Sequence, residues 1–377
     1  MKTLRIWALI LCACFVSVAW SQQPASNDSA DWTEFHRTNM ERWNPYERVL
    51  SVKNVGRLSL KWSYDTGAYV ASSPAVAKGV VFGGSVNLYA LNAQTGAKLW
   101  SNDNIGPASP AVANGVVYVG TGGSDSHVYA LRASTGTVLW RHRFGSEVNG
   151  SPTVANGVVY VGTEDNSVCA LNAGTGSLRW CYFVGYHVNS APAVANGVVY
   201  FTSEDYSLYA LNARTGTRLW SVANAFQDSS PAVTNGVVYV GSSDNNLYAL
   251  DARTGATLWK YATGDFVESS PAVANGVVYV GSDDGNVYAL RASTGALLWS
   301  YAAGGGQVFS SPAVANGVVY FDSGVTVYAL DAKTGAKLWS YATGNSVSSS
   351  PAVVNSVVYV GSYDGKVYAF GLRKDRK

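Results

Sequence analysis

The sequence predicts an all-β chain folded as an eight-bladed β-propeller of four-stranded antiparallel blades, on three observations. A tryptophan recurs at Trp62, Trp100, Trp140, Trp180, Trp220, Trp259, Trp299 and Trp339, in steps of 38 to 40 residues. A proline keeps the same period at Pro74, Pro110, Pro152, Pro192, Pro231, Pro271, Pro312 and Pro351. Each unit holds four short β-rich runs, for example SSPAVA, VVYVGS, NVYALR and ALLWSYA between Ser269 and Ala302. Four strands per repeat of this length make one propeller blade.

Taken from the start, MKTLRIWALILCACFVSVAWS has a basic beginning, an apolar run from Ile6 to Val18 and the small-x-small site Ala19-Trp20-Ser21. Residues 1–21 therefore read as a secretory signal, too short to span a bilayer. Leu11-Cys12-Ala13-Cys14 offers an alternative, a lipoprotein box with Cys14 lipidated, although only eight apolar residues would precede that cysteine. Residues 22–56 form a lead-in segment, 57–370 the propeller and 371–377 a basic tail. No later stretch is long and apolar enough to cross a membrane, so the expected location is the periplasm or the exterior.

Within a blade, Asn-Gly joins the first two runs in six units, a strong signal for a two-residue hairpin turn. Thr-Gly joins the last two runs in seven. In ALNAQTGAKLW the second hairpin sets Ala90 opposite Trp100, leaving room for the indole between neighbouring blades. Strict recurrence at every blade argues for packing over sugar stacking. The last unit stops at GKVYAFGLRKDRK without a tryptophan strand, whereas RLSLKWSYDTG precedes the first proline unit. Residues 57–66 are therefore expected to complete the last blade and close the ring, leaving no open edge.

Removing Lys2 and Arg5 with the signal leaves 24 basic against 24 acidic residues. A neutral body gives no electrostatic case for nucleic acid or anionic lipid.

The pattern A-x-N/D-x-x-T-G-x-x-x-W resembles the tryptophan-docking motif of pyrroloquinoline-quinone-type repeats. It starts at Ala90, Ala170, Ala210, Ala249 and Ala329, while Ala130 and Ala289 carry Arg at the third position. Similar propellers include quinoprotein dehydrogenases and the lipoprotein scaffold of the outer-membrane barrel-assembly machinery. The dehydrogenase resemblance implies a calcium-bound quinone, a carboxylate base and often a disulfide between adjacent cysteines. This chain has no adjacent cysteine pair, no C-x-x-C-H for haem and no long insert to roof a cofactor.

Acids recur between the second and third runs, at Asp125, Glu164, Asp165, Glu204, Asp205, Asp244, Asp283, Asp284 and Asp364. No loop has complete calcium-ligand spacing, and Asp before Gly or Asn is ordinary turn chemistry, so no metal is expected. His36, His127, His142 and His187 form no zinc motif, and no nucleophile elbow or phosphate loop is present. No catalytic residue is nominated.

Strand alternation puts the first–second and third–fourth turns at one end of the ring, which is uniform in sequence. The second–third loops and blade crossings share the other end, which varies. Divergence concentrates at Arg141, His142, Arg143, Phe144, Phe183, Tyr186, His187, Phe226 and Gln227, an aromatic and Arg content that protein-contact patches favour, so this end is the expected binding face. Asn149, Asn189, Asp228 and Glu268 precede first strands and are expected to line the channel. The expected function is an exported, non-catalytic scaffold or protein-binding module with no cofactor, whose partner is an envelope protein or other extracytoplasmic component. The alternative is a dehydrogenase with a reduced active site using pyrroloquinoline quinone and calcium.

Cys12 and Cys14 fall in the signal, leaving Cys169 and Cys181. Pairing Ala170 with Trp180 sets these two opposite each other, where facing Cβ atoms lie about 4.5–5.5 Å apart, within reach of a disulfide after small adjustment. Two independent small substitutions at a blade interface are the other reading. Mass spectrometry of unreduced peptides from exported protein is expected to return Cys169 joined to Cys181, a bond adding about 1–3 kcal/mol; two free thiols would refute it.

Overall fold

The computed structural model describes residues 31–37, 40–103, 105–106, 108–123 and 125–373. The signal, Cys14 and residues 374–377 lie outside them. Eight four-stranded antiparallel sheets form the ring: blade one spans 75–102, two 111–143, three 153–183, four 193–223, five 232–262, six 272–302, seven 313–342. Blade eight combines 352–372 with the strand Leu58–Asp65, which pairs antiparallel with Lys366–Leu372. The chain's two ends thus meet in one sheet, as the missing tryptophan strand requires. The last strand runs two residues beyond 370, to Leu372.

Inside each blade the turns follow from residue chemistry. Asn114 and Gly115, for instance, both have positive φ (52° and 77°), the geometry a two-residue hairpin needs. Asp205, Asp244, Asp284 and Asp364 hold the second–third loops. Each accepts a backbone N–H two residues on and the hydroxyl of Tyr209, Tyr248, Tyr288 or Tyr368. The fourth strands carry a β-bulge between the tryptophan and the residue two before it, so Leu99, Leu139, Leu219, Leu258 and Leu298 are left unpaired on the outer edge. A bulge on every outer strand blunts edges that could otherwise recruit another chain.

Blades are joined by one repeated clasp. Ala90 faces Trp100, and the indole Nε1–H donates to the Ala133 carbonyl of the next blade at 2.9 Å. The same bond recurs from Trp62, Trp140, Trp180, Trp220, Trp259 and Trp299. Gly136 lies under the Trp100 ring with φ 72°, and a Cβ there would come within 2.7 Å of it. Glycine is therefore required by both conformation and space. A second-strand tyrosine hydroxyl shares the acceptor, as Tyr118 does with Trp140 on Ala173 at 3.0 Å. Cys169 and Cys181 face each other and are disulfide-bonded.

The lead-in segment lies across the inner strands. Their central residues turn N–H groups into the channel, and the segment accepts them: Val76 to Trp32, Val112 to Thr33, Val233 to Met40, Val273 to Glu41 and Val314 to Arg42. In blade three the Glu34 carboxylate takes the Val154 N–H at 3.0 Å. Burial lifts Glu34 to about pKa 8, against the lowering effect of that bond. Trp43–Asn44 adds a short parallel strand to blade seven.

Deleting residues 22–66 removes both the closing strand and this inner cap. Aggregation or a much lower melting temperature is expected by light scattering and circular dichroism; a monomer with unchanged melting would contradict the closure.

Candidate functional site

The inner cap converts the channel into a blind well. Its floor is Phe35, over which the Arg42 guanidinium lies 4.6 Å from the ring centroid. Arg42, fully buried, donates to the carbonyls of Phe35, Ser311, Pro312 and Pro351, tying the floor to blades seven and eight. The wall is one tier of small residues, one per blade: Ser73, Ser109, Ser151, Ala191, Ser230, Ser270, Ser311 and Ser350. Around much of the ring each backbone N–H donates to the next blade's hydroxyl, as in 230→270→311→350→73→109. The serines before the first strands are thus an interblade belt.

Two residues above each belt position lies the mouth tier. It includes Ala71, Asn189, Asp228, Glu268, Phe309 and Ser348, around a cavity of about 230 Å³. Asn149 belongs to an adjoining groove of about 1030 Å³ with Tyr69, Val86, Asp125, Glu147 and Tyr363. Its side-chain amide donates to Glu147 at 3.0 Å and Glu164 at 2.7 Å. The structure therefore brings three of the four expected channel polars into the well and places the fourth beside it.

The mouth is electrostatically strained. Glu268 is raised to about pKa 7, first by burial and then by the charges of Asp283, Asp228 and Asp265. Asp283 rises to about 6, first by burial and then by the charges of Asp265, Asp284 and Asp228, and burial with the Glu204 charge raises Asp228. In sequence Asp283 is one of many recurring loop acids and Asp265, in the crossing between blades five and six, has no signal; their charge interaction with Glu268 distinguishes them.

The expected binding face needs correction. Phe226 is fully buried and meets Tyr248 edge-on at 5.1 Å; Phe144 is buried among Tyr118, Val148 and Val161. Both fill the space between sheets, so they are core residues and not contact residues. Arg141 and Arg143 are exposed on the outer strand of blade two, Arg141 on the flank and Arg143 at the strand's variable-end terminus opposite His127, with His142 half-buried against Phe144. Tyr186 is 59% exposed at the variable end, and His187 lies 3.6 Å from Glu204. Phe183, also expected on this face, is 68% exposed, and the aromatics exposed at this end further include Tyr69, Tyr206, Phe266 and Phe309.

Pyrroloquinoline quinone is a tricarboxylate, and the well meets it with Asp228 and Glu268 and no basic lining residue. Among the described residues no three His, Cys, Asp or Glu side chains converge as a metal set. As lined, the well does not fit that group. No helix of the described residues is long and apolar enough to cross a membrane.

A family profile, PQQ_2, described as outer membrane protein assembly factor BamB, matches residues 58–123, 83–187, 125–266 and 249–375. Over 94 residues the chain is 36% identical to the quinoprotein alcohol dehydrogenase PedE of Pseudomonas putida, covering 22% of this chain and 15% of that relative. The solved structure of BamB from Moraxella catarrhalis superposes with a TM-score of 0.70 at 19% identity, over 83% of this chain and 99% of that one. A europium-containing methanol dehydrogenase superposes at 0.76 and 16% identity, over 92% and 99%. At such identities the structural likeness is one of fold.

The pH dependence of the mouth is testable. Glu268 and Asp283 hold protons more tightly folded than unfolded, so their contribution to stability falls as pH rises from about 4 to about 7. Glu268→Gln is expected to raise the melting temperature by about 1–2 °C near pH 8 and to leave it unchanged near pH 4. An equal shift at both pH values in calorimetry would exclude mouth repulsion as the cause.

Proposed function

From a chain that belongs to the PQQ_2 family, that of the outer membrane protein assembly factor BamB, we propose an exported, non-catalytic propeller that docks an envelope protein on its variable end. The observation that carries this reading is the chemistry of that end: exposed Phe309 lines the mouth, Tyr69 the adjoining groove, and exposed Tyr186 and Phe266 lie against the acidic second–third loops. Aromatic anchors beside charge on a rigid ring favour a partner segment that is itself apolar and basic. The blind, serine-walled well adds polar lining, and no metal set is present among the described residues.

The dehydrogenase reading draws on two features. One is the local identity to PedE, and the other is Glu268, whose pKa near 7 would suit a general base. Against it stands the acidic, cation-free lining.

A photoreactive residue placed at Tyr69, Tyr186 or Phe266 in cells is expected to cross-link to an envelope protein, while placement at Gln94 or Arg214 gives no protein adduct. Adducts from Gln94 and Arg214 alone would move the docking face to the other end. Calorimetric titration with calcium and pyrroloquinoline quinone is expected to give no binding heat. Micromolar binding accompanied by dye-linked alcohol oxidation would replace the scaffold reading with the enzymatic one.

A further inference from the structure

We propose that the uniform end of the ring docks on an anionic lipid bilayer surface. The chain's neutrality, which by itself argues against such a partner, conceals two oppositely charged ends. The second–third loops put acids at the variable end in blades two to six and eight. The third–fourth turns of the opposite end expose Arg132, Arg214, Arg253, Arg291 and Lys333, against Asp251 and Asp331 in the same turns, so cations are in excess there. Arg48, Lys53 and Arg57 join them, because Asn316 in the blade-seven turn donates to the Leu50 carbonyl and holds that segment at the same end. Net charge sums the ends, whereas a surface responds to the end that faces it.

Two further observations select a bilayer among anionic partners. The bulged leucines open the outer strands close to this end, with Leu99, Leu219 and Leu258 each more than half exposed. Lys98 and Arg218 stand beside them, also exposed. Apolar side chains interleaved with cations suit the headgroup boundary of a membrane, where both find a favourable layer; a nucleic-acid backbone would reward only the cations. Both ends of the described chain also lie here. Asp31 accepts the backbone N–H of Lys78 in the blade-one turn at 3.1 Å, and Arg373 follows the strand that ends at Leu372. Docked this way, the ring turns its acidic mouth away from the bilayer. The inference stands apart from what binds the variable end.

The test is co-sedimentation of the exported chain with phosphatidylcholine vesicles, with and without phosphatidylglycerol. Binding is expected only with phosphatidylglycerol and is expected to be lost at high salt. The triple change Arg214→Glu, Arg253→Glu and Lys333→Glu is expected to lower partitioning by roughly tenfold or more, with melting unchanged because all three side chains are exposed. Leu99→Ser with Leu219→Ser and Leu258→Ser is expected to weaken binding while keeping its salt dependence. Equal binding to both vesicles, or salt-insensitive binding of the unaltered chain, would overturn the proposal even if a variant failed to fold. So would tight binding to single-stranded DNA with none to phosphatidylglycerol vesicles.

Discussion

The ring depends on one contact repeated around it: a tryptophan laid on the glycine of the next blade, its indole N–H given to the alanine carbonyl of the same turn. Opposite the indole, a second alanine is small enough to admit it. The tyrosine hydroxyl that shares the acceptor adds a second bond at most interfaces. Each hydrogen bond contributes only about 1 kcal/mol net. Their effect comes from coupling, because every blade is both donor and acceptor and none can shift without straining two neighbours. Where the repeat is imperfect, the clasp shows what it needs. Blade one has Phe82 in place of the tyrosine and keeps only the indole bond. At the seam between blades seven and eight the accepting turn does not exist, because the chain's own ends occupy that place. Trp339 donates to Leu58 instead, and the buried Tyr320 hydroxyl finds no partner.

That seam is also where the lead-in segment is anchored most heavily. Trp43–Asn44 pairs with blade seven, the Asn44 amide donates to Val353, and Glu47 accepts the Ser356 N–H in the blade-eight turn. Arg42 bridges carbonyls of both blades. The weakest link of the clasp is thus reinforced by the segment that caps the inner N–H groups. One stretch of chain closes the ring, satisfies buried donors and floors the well. The cost is a pair of buried ionisable groups: Asp322, whose carboxyl burial pushes well above the ordinary range, stands where other second strands have Gly or Thr, and the Arg42 charge works against that rise.

Periodicity made the ring legible. The tryptophan and proline spacings determined blade number, the missing final strand pointed to Leu58–Asp65, and Cys169 and Cys181 were placed by counting outward from Ala170 and Trp180. The inner cap was not legible, because residues 31–47 repeat nothing and their partners are backbone groups with no sequence signature. Phe144 and Phe226 misled for a related reason. Each departs from the repeat in a crossing segment, and departure alone does not tell an exposed aromatic from one that fills a gap between sheets. The charge separation was hidden differently: a sum over the chain cancels ends that only strand direction can tell apart.

The clasp also changes how the two ends are to be compared. The uniform end carries the turn that supplies both the accepting carbonyl and the glycine under the indole, so its sequence is held by packing. Variation at the other end therefore needs no functional cause; it marks freedom from the clasp. What singles that end out is chemistry that packing does not explain, namely exposed aromatics around carboxyl groups whose pKa burial and mutual repulsion raise. The same reasoning applies to the uniform end. Within its turns the clasp fixes alanine and glycine but leaves the positions of Arg214, Arg253 and Lys333 open to any exposed residue. Cations recur there although the fold is indifferent to them, and it is this unforced choice that gives the basic end its meaning.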